Sequence, residues 1–175
     1  MNTRFTDFYM DIALRTARMS RAVRLQVGAI IVKDSRIVSI GFNGTPTGWD
    51  NNCEDKEYMS GDAGSWLNPS EIYEQWPFEE TVPVTNNNES FEIPRRYRLK
   101  TKPEVLHAES NALMKLARST ESGDNATLFV THAPCINCAK LVYQGGINSV
   151  YYRNTYRETD GIDFLIKSGV KIEKC

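Results

Sequence analysis

Histidine is scarce in this chain and cysteine nearly so: two of the first, at 107 and 132, and four of the second, at 53, 135, 138 and 175. Cys53 and Cys175 stand alone in the sequence, a poor disulfide framework for 175 residues. That usage fits a reducing compartment, so a cytoplasmic protein is expected, in the host cytoplasm if the source is viral. Any metal site built from imidazole and thiolate ligands must draw on these six residues. An excess of positive charge is also missing. Lys and Arg number 21 against 22 Asp and Glu, a net charge of −1, which leaves no basic surplus for a phosphate backbone and excludes nucleic acid as the expected partner. No apolar run approaches the roughly 20 residues that span a bilayer. The opening MNTRFTDFYM has no apolar core before a cleavage site, so neither membrane nor export is expected.

What is present is the composition of an ordinary globular protein, 41% hydrophobic and 25% charged, at a length that suits one domain with a sizeable core. Phe5, Phe8, Tyr9, Ile12, Ala13 and Ala17 recur at helical spacing and predict an amphipathic helix over 5–19. VGAIIVKDSRIVSIGFNG then reads as two strands joined by a tight turn at Lys33–Arg36, the first apolar enough for burial on both faces.

Residues 49–103 change character. They hold all three tryptophans, five of the seven prolines and Asn86-Asn87-Asn88, and predict an irregular insertion with one short helix near Pro69–Gln75. Beyond it the pattern is regular: helix 107–119, strand 127–131, helix 135–144, strand 149–154, helix 160–168 and strand 170–174. Short links between them imply parallel pairing. The expected fold is α/β, a three-layer α/β/α sandwich around a five-stranded mixed sheet, in a single domain covering 1–175.

The two regular halves spell one constellation: His107-Ala108-Glu109 at the start of a helix, and Pro134-Cys135-Ile136-Asn137-Cys138 at the start of the next. H-x-E with P-C-x-x-C is the pattern of zinc nucleobase deaminases, and its physical sense can be worked out independently. Cys135 and Cys138, three apart in a first helical turn, turn their sulfurs to one side, and the positive end of the helix dipole favours thiolates. His107 adds a neutral nitrogen, and three ligands leave the fourth tetrahedral position of a Zn²⁺ ion open to water. Two thiolates cancel the ion's charge and blunt its effect on that water. A carboxylate must then take the proton, and Glu109 is the candidate. Residues i and i+2 of a regular helix point about 200° apart, so His107 and Glu109 converge only if His107 lies at or before the helix start.

Three plainer readings compete. The C-x-x-C pair could be a redox dithiol, although the preceding proline and the H-x-E partner argue against it. Zinc could be structural, closed by Cys53 or by His132, which is expected beside the ligands or exposed rather than among them. The chain could also be a zinc-stabilised nucleotide-binding module. Glu109 is hard to justify in the last two, since a closed site has no use for a free carboxylate.

With LHAESNAL and APCINCAK, the stretches VGAIIVKDSRIVSIGFNGTPTGW and SVYYRNTY resemble the cytidine deaminase superfamily and, within it, the deoxycytidylate deaminases, over most of the chain outside 49–103. The resemblance implies hydrolytic conversion of dCMP to dUMP and ammonia, with attack of an activated water at C4 and Glu109 carrying protons to N3 and then to the departing amine. It implies that Asn43 bonds the sugar, that the Ala133 carbonyl accepts the cytosine amino group, and that Tyr156 packs near base or phosphate. By position, Arg24 and Arg157 are the cations for the phosphate. It also implies activation by dCTP and inhibition by dTTP, the triphosphate bringing Mg²⁺ with it, at a site between subunits of a homo-oligomer, a hexamer being favoured. Gly41, Phe42, Asn43, Gly44 and Thr45 match the allosteric loop. Asn111, Lys115 and Arg118 form a polar stripe on the following helix that would suit a triphosphate, and the basic run 95–102 could join them. With Cys53 its sole cysteine and no histidine, the insertion is not expected to hold the second, structural zinc of some relatives. Deaminases of a free nucleoside, of guanine or of adenosine in transfer RNA are the nearest alternative activities.

Overall fold

A computed structural model describes residues 3–58, 78–86, 89–156 and 158–175. The chain divides into two compact units, Met1–Cys53 with Glu104–Cys175, and Glu54–Pro103.

The first unit opens on α1 (Thr3–Ala17), followed by the hairpin of β1 (Gly28–Lys33) and β2 (Arg36–Phe42). Asp34 and Ser35 carry φ of 48° and 60°, the paired positive values of a two-residue hairpin turn whose twist matches its strands. β1 is buried from Gly28 to Val32, as its unbroken apolar run predicts. After the second unit, this fold resumes with α2 (Ala108–Ala117), β6 (Thr127–His132), α3 (Ile136–Gln144), β7 (Ser149–Asn154), α4 (Asp160–Lys167) and β8 (Lys171–Lys174). The sheet order is β2-β1-β6-β7-β8. β1 runs antiparallel to both its neighbours, while β6, β7 and β8 are parallel. This is the expected five-stranded mixed sheet.

Alternation along β1 sorts the core into two layers. Ile30 and Val32 join Tyr9, Met10 and Ala13 of α1 with Phe129 and Tyr151 on one face. Ala29 and Ile31 join Ala112, Leu113 and Leu116 of α2, Ala139 and Val142 of α3, and Leu165 of α4 on the other. Helices on both faces of one sheet make the three-layer sandwich.

The buried stripe of α1 is rotated from the expected one. Thr6, Tyr9, Met10, Ala13, Thr16 and Ala17 are buried, whereas Phe5 and Phe8 are more than half exposed. A Cβ on Gly28 would fall 2.2 Å from Ala13 O and 2.4 Å from Ala17 N. At so close an approach only side chains as small as alanine fit at 13 and 17, while Thr6, Tyr9 and Met10 fill the rest of the buried stripe and the phenylalanines turn outward.

The second unit corrects the expectation of an irregular insertion. It forms a three-stranded antiparallel sheet, β3 (Glu54–Tyr58), β4 (Phe78–Asn86) and β5 (Glu89–Thr101), in the order β3-β5-β4. Register puts Tyr58, Phe78, Val82, Ile93, Tyr97 and Leu99 on one face, with the Phe78 and Tyr97 rings stacked at 5.5 Å. Asp55, Glu57, Glu79, Arg96, Arg98 and Lys100 share the other. Most of the basic run is spent there: Arg96 pairs with Glu79, Arg98 and Lys100 with Glu57, and Lys102 with Asp55, while Arg95 lies over the Tyr58 ring on the first face. The two prolines that disguised this alternation sit where a strand tolerates them, Pro83 on the edge strand β4 and Pro94 in β5 beyond the last pair with β3. The short helix expected near Pro69–Gln75 lies outside the described residues.

Candidate metal centre

In the first unit β2 is antiparallel to β1, and β1 to β6, so β2, β6, β7 and β8 all point one way and their carboxyl ends meet at one end of the sheet. That end is where α/β folds place ligands. Three helices begin there, α2, α3 and α4, and the first two carry the ligands. β6 leads through Ala133 and Pro134 into α3. α2 is brought to the same end by a bridge between Gly44, just past β2, and Leu106, just before α2.

His107 is the N-cap of α2, extended at φ −77° and ψ 155°. This is the position that convergence with Glu109 requires. Cys135 is the N-cap of α3 at φ −68° and ψ 166°, and Cys138 lies in the first turn. Thus the first sulfur stands one step before the helix rather than within it. His107 Nδ1 lies 3.6 Å from Cys135 Sγ and 3.4 Å from Cys138 Sγ. All three ligand atoms fall within 4.8 Å of one another. A tetrahedral zinc with usual Zn–S and Zn–N lengths would separate nitrogen and sulfur by about 3.5 Å. The donor set therefore fits zinc in both chemistry and spacing.

The two sulfurs are close enough to bias each other's ionisation in opposite directions. Accepting from Cys138 takes the Cys135 thiol down to about 3, and the same bond pushes the Cys138 thiol up. Two adjacent thiolates form only when a divalent ion compensates them. The partnership with Cys135 also raises His107 against the effect of its partial burial. Glu109, 4% exposed, sits in the first turn of α2. Burial pushes its carboxyl up to about 7, opposed by its own backbone N–H, by His107 and by a bond with Cys138. A bound cation would draw it down again. His107 is covered on one side and exposed on the other, so the group opens to solvent there.

The remaining predicted residues separate into distinct settings. His132 is half-buried, with Nδ1 3.2 Å from Thr131 Oγ1, and is not part of the ligand cluster. Cys53 is buried with Ala22 and Val105 in a cluster of its own. Asn43 is buried, its Oδ1 accepting from Val27 N and its Nδ2 donating to Leu25 O, both at 2.8 Å. Its carboxamide thus ties the loop that carries half-buried Arg24 to the end of β2. Ala133 is buried and donates its N–H to Asn154 O at 2.8 Å. Tyr156 packs, partly buried, against the larger core cluster. Arg157 lies outside the described residues.

The expected allosteric stripe has a structural occupation. Asn111 donates to Phe42 O at 2.8 Å, and Lys115 donates to Ile40 O at 3.1 Å while lying over the Phe42 ring. They satisfy outward carbonyls of the edge strand β2. Arg118, the C-cap of α2, is exposed. Gly41 packs directly beneath α2, and Thr45 donates to Asp50 O. The sequence reading missed Gly161, which touches the backbone of Pro134 and Cys135, and Leu106, which anchors the turn before His107. Neither contact involves a side chain whose type could have signalled it.

Comparison with known proteins agrees with this geometry. The family model of the cytidine and deoxycytidylate deaminase zinc-binding region matches residues 3–154. A dCMP deaminase from the cyanophage S-TIM5, crystallised with dCMP and dUMP, superposes with a TM-score of 0.73 at 37% identity, over 100% of this chain and 99% of that one. The deoxycytidylate deaminase of Enterobacteria phage T4 is 32% identical over 93% of this chain and 86% of its own length. That of Saccharomyces cerevisiae is 26% identical over 99% of this chain but only 46% of its own length. With a zinc-compatible triad at two helix starts, a buried glutamate beside it and a family match over most of its length, this chain belongs to the cytidine and deoxycytidylate deaminase family.

Proposed function

We propose that the protein hydrolyses dCMP to dUMP and ammonia, with His107, Cys135 and Cys138 holding zinc and Glu109 moving the protons. The observation that carries this reading is the convergence of His107 Nδ1 on both sulfurs at 3.4 and 3.6 Å with buried Glu109 in the adjoining helical turn. Bound zinc would supply Lewis acidity that makes a water molecule nucleophilic near neutral pH.

The chain's own part is positional and protonic. The Glu109 carboxylate takes a proton from the attacking water and delivers it to N3 of cytosine as oxygen bonds to C4. It then passes the second proton to the amino group, which leaves as ammonia when the C4–N bond breaks. Its burial keeps competing water from the shuttle and strengthens each charge interaction. The Ala133 backbone carbonyl receives the cytosine amino group, and Asn43 and Tyr156 border the sugar and base. Arg24 is assigned to the phosphate, with Arg157 its partner by place in the sequence. The dCMP and dUMP bound by the cyanophage protein favour the monophosphate over the free nucleoside.

Regulation by dCTP and dTTP, with Mg²⁺ on the triphosphate, through Gly41–Thr45 and the α2 stripe of a hexamer is a further part of the proposal. The same experiment tests it separately. Zinc-loaded protein is given dCMP or deoxycytidine and ammonia release is followed, with dCTP and dTTP added to the dCMP arm. Turnover of dCMP in preference to deoxycytidine is expected, raised by dCTP and lowered by dTTP. Equal turnover of the nucleoside would remove the phosphate-binding assignment, and indifference to both triphosphates would remove the regulation. Inertness toward both substrates with zinc bound would refute the reaction.

A further inference from the structure

His107 reaches the metal centre from an N-cap that makes no side-chain cap of its own, so its place depends on what holds the first turn of α2. Three contacts with the end of β2 do so. A Cβ on Gly41 would fall 2.2 Å from Ala108 O, which puts strand and helix backbones in direct contact. Gly44 and Leu106 exchange backbone hydrogen bonds of 3.1 and 2.9 Å one residue before the ligand. Asn111 completes the set, its Nδ2 donating to Phe42 O at 2.8 Å while its backbone N–H donates to His107 O at 2.9 Å. One residue thus grips the last carbonyl of the strand with its side chain and the ligand's own carbonyl with its main chain.

We infer that Asn111 is a positioning residue for the metal ligand His107, setting the ring against Cys135 and Cys138 by locking the first turn of α2 to the end of β2. The inference rests on the zinc-ligand role proposed above. Metal sites require ligand distances within about 0.2 Å, so the side-chain bond that fixes the turn carrying His107 bears directly on the fit of the ring. Residues that orient a ligand from outside the coordination sphere alter metal affinity about 10- to 100-fold when removed. Ser39 provides an internal control. Its Oγ donates to Ala112 O at 2.7 Å, joining the same strand and helix with a buried bond farther from the ligand.

The test measures zinc dissociation constants by competition with a chromogenic chelator, and the absorption spectrum of the cobalt-substituted protein, for wild type, Asn111→Ala and Ser39→Ala. Alanine improves the intrinsic helix propensity at 111, so any loss there reports the missing hydrogen bond. Asn111→Asp, similar in size but without the donor, stands in should the first variant not fold. The expected result is zinc binding weakened at least tenfold with a shifted cobalt band in the Asn111 variant, and wild-type metal binding with a lowered melting temperature in Ser39→Ala. Unchanged affinity and spectrum in the Asn111 variant, or an equal loss in Ser39→Ala, would overturn the positioning role and leave the zinc assignment standing. A wild-type protein that binds neither zinc nor cobalt would overturn both.

Discussion

Replacing Gly161 by alanine sets two known effects against each other. Gly161 is buried in the first turn of α4, where alanine would ordinarily stabilise a helix by about 1 kcal/mol. Here the added Cβ would stand 2.0 Å from Pro134 O, 2.9 Å from the Cys135 carbonyl carbon and 3.0 Å from its oxygen. Real contacts of this kind essentially never fall below 3.0 Å, so backbone must move, and neither side moves freely. Pro134 and Leu165 are fully buried, and the Tyr143 and Phe164 rings hold α3 against α4 at 6.1 Å. Overpacking of this sort costs about 1–3 kcal/mol, and a 2.0 Å clash with backbone rather than with a flexible side chain puts it in the upper half of that range, about 2–3 kcal/mol, which outweighs the propensity gain. The expected net loss is about 1–2 kcal/mol, a fall in Tm of roughly 2–8 °C for a chain of this length. The displaced backbone carries Cys135, so zinc affinity should fall about tenfold as well. Calorimetric melts with and without zinc, together with zinc content per chain, provide the measurement. A variant that melts at or above wild type with full zinc would refute the reasoning, because α4 would then have yielded without cost.

Other substitutions separate chemistry from scaffold. Glu109→Gln should retain zinc and the wild-type fold while turnover falls about 10²- to 10⁴-fold, read by ammonia release beside metal analysis; near-normal activity would remove Glu109 from the mechanism. Cys135→Ala should lose both zinc and activity, and stoichiometric zinc in that variant would mean the ion is held elsewhere. Thr131→Val tests the far side of the sheet. Thr131 is 1% exposed and its hydroxyl accepts the Gly28 N–H at 3.2 Å, and valine leaves that buried donor without its partner at a cost of about 1–3 kcal/mol. Its melting temperature should drop with zinc content unchanged, and a wild-type melt would show that the bond contributes nothing.

The elements of the first unit were legible because their signals are local. β1 shows its burial as an unbroken apolar run, and Gly145-Gly146 marks the end of α3 without help from distant residues. The candidate site was legible for a related reason. Two ligands three apart at a helix start, and a histidine two before a glutamate, are geometric statements that a sequence can make alone. The demand that His107 stand before its helix follows from 3.6 residues per turn, and the N-cap position meets it.

Long-range contacts were not legible. The alternation of β5 is diluted by charges whose partners, Glu57 and Glu79, come from other strands, so its basic run reads in isolation as a patch for anions. Asn111 and Lys115 form a polar stripe by periodicity, yet donate to carbonyls of a strand some seventy residues earlier. Phe5 and Phe8 lose their expected place in the core because the close approach at Gly28 turns the face with Ala13 and Ala17 toward β1, and Thr6, Tyr9 and Met10 share that face. Sequence alone determined which residues could serve as metal ligands, and that two helix starts must bring them together. Tertiary structure decided how they are held, by backbone meeting backbone at Gly44, Leu106 and Gly161, where peptide groups identical in every residue leave no trace in the order of side chains.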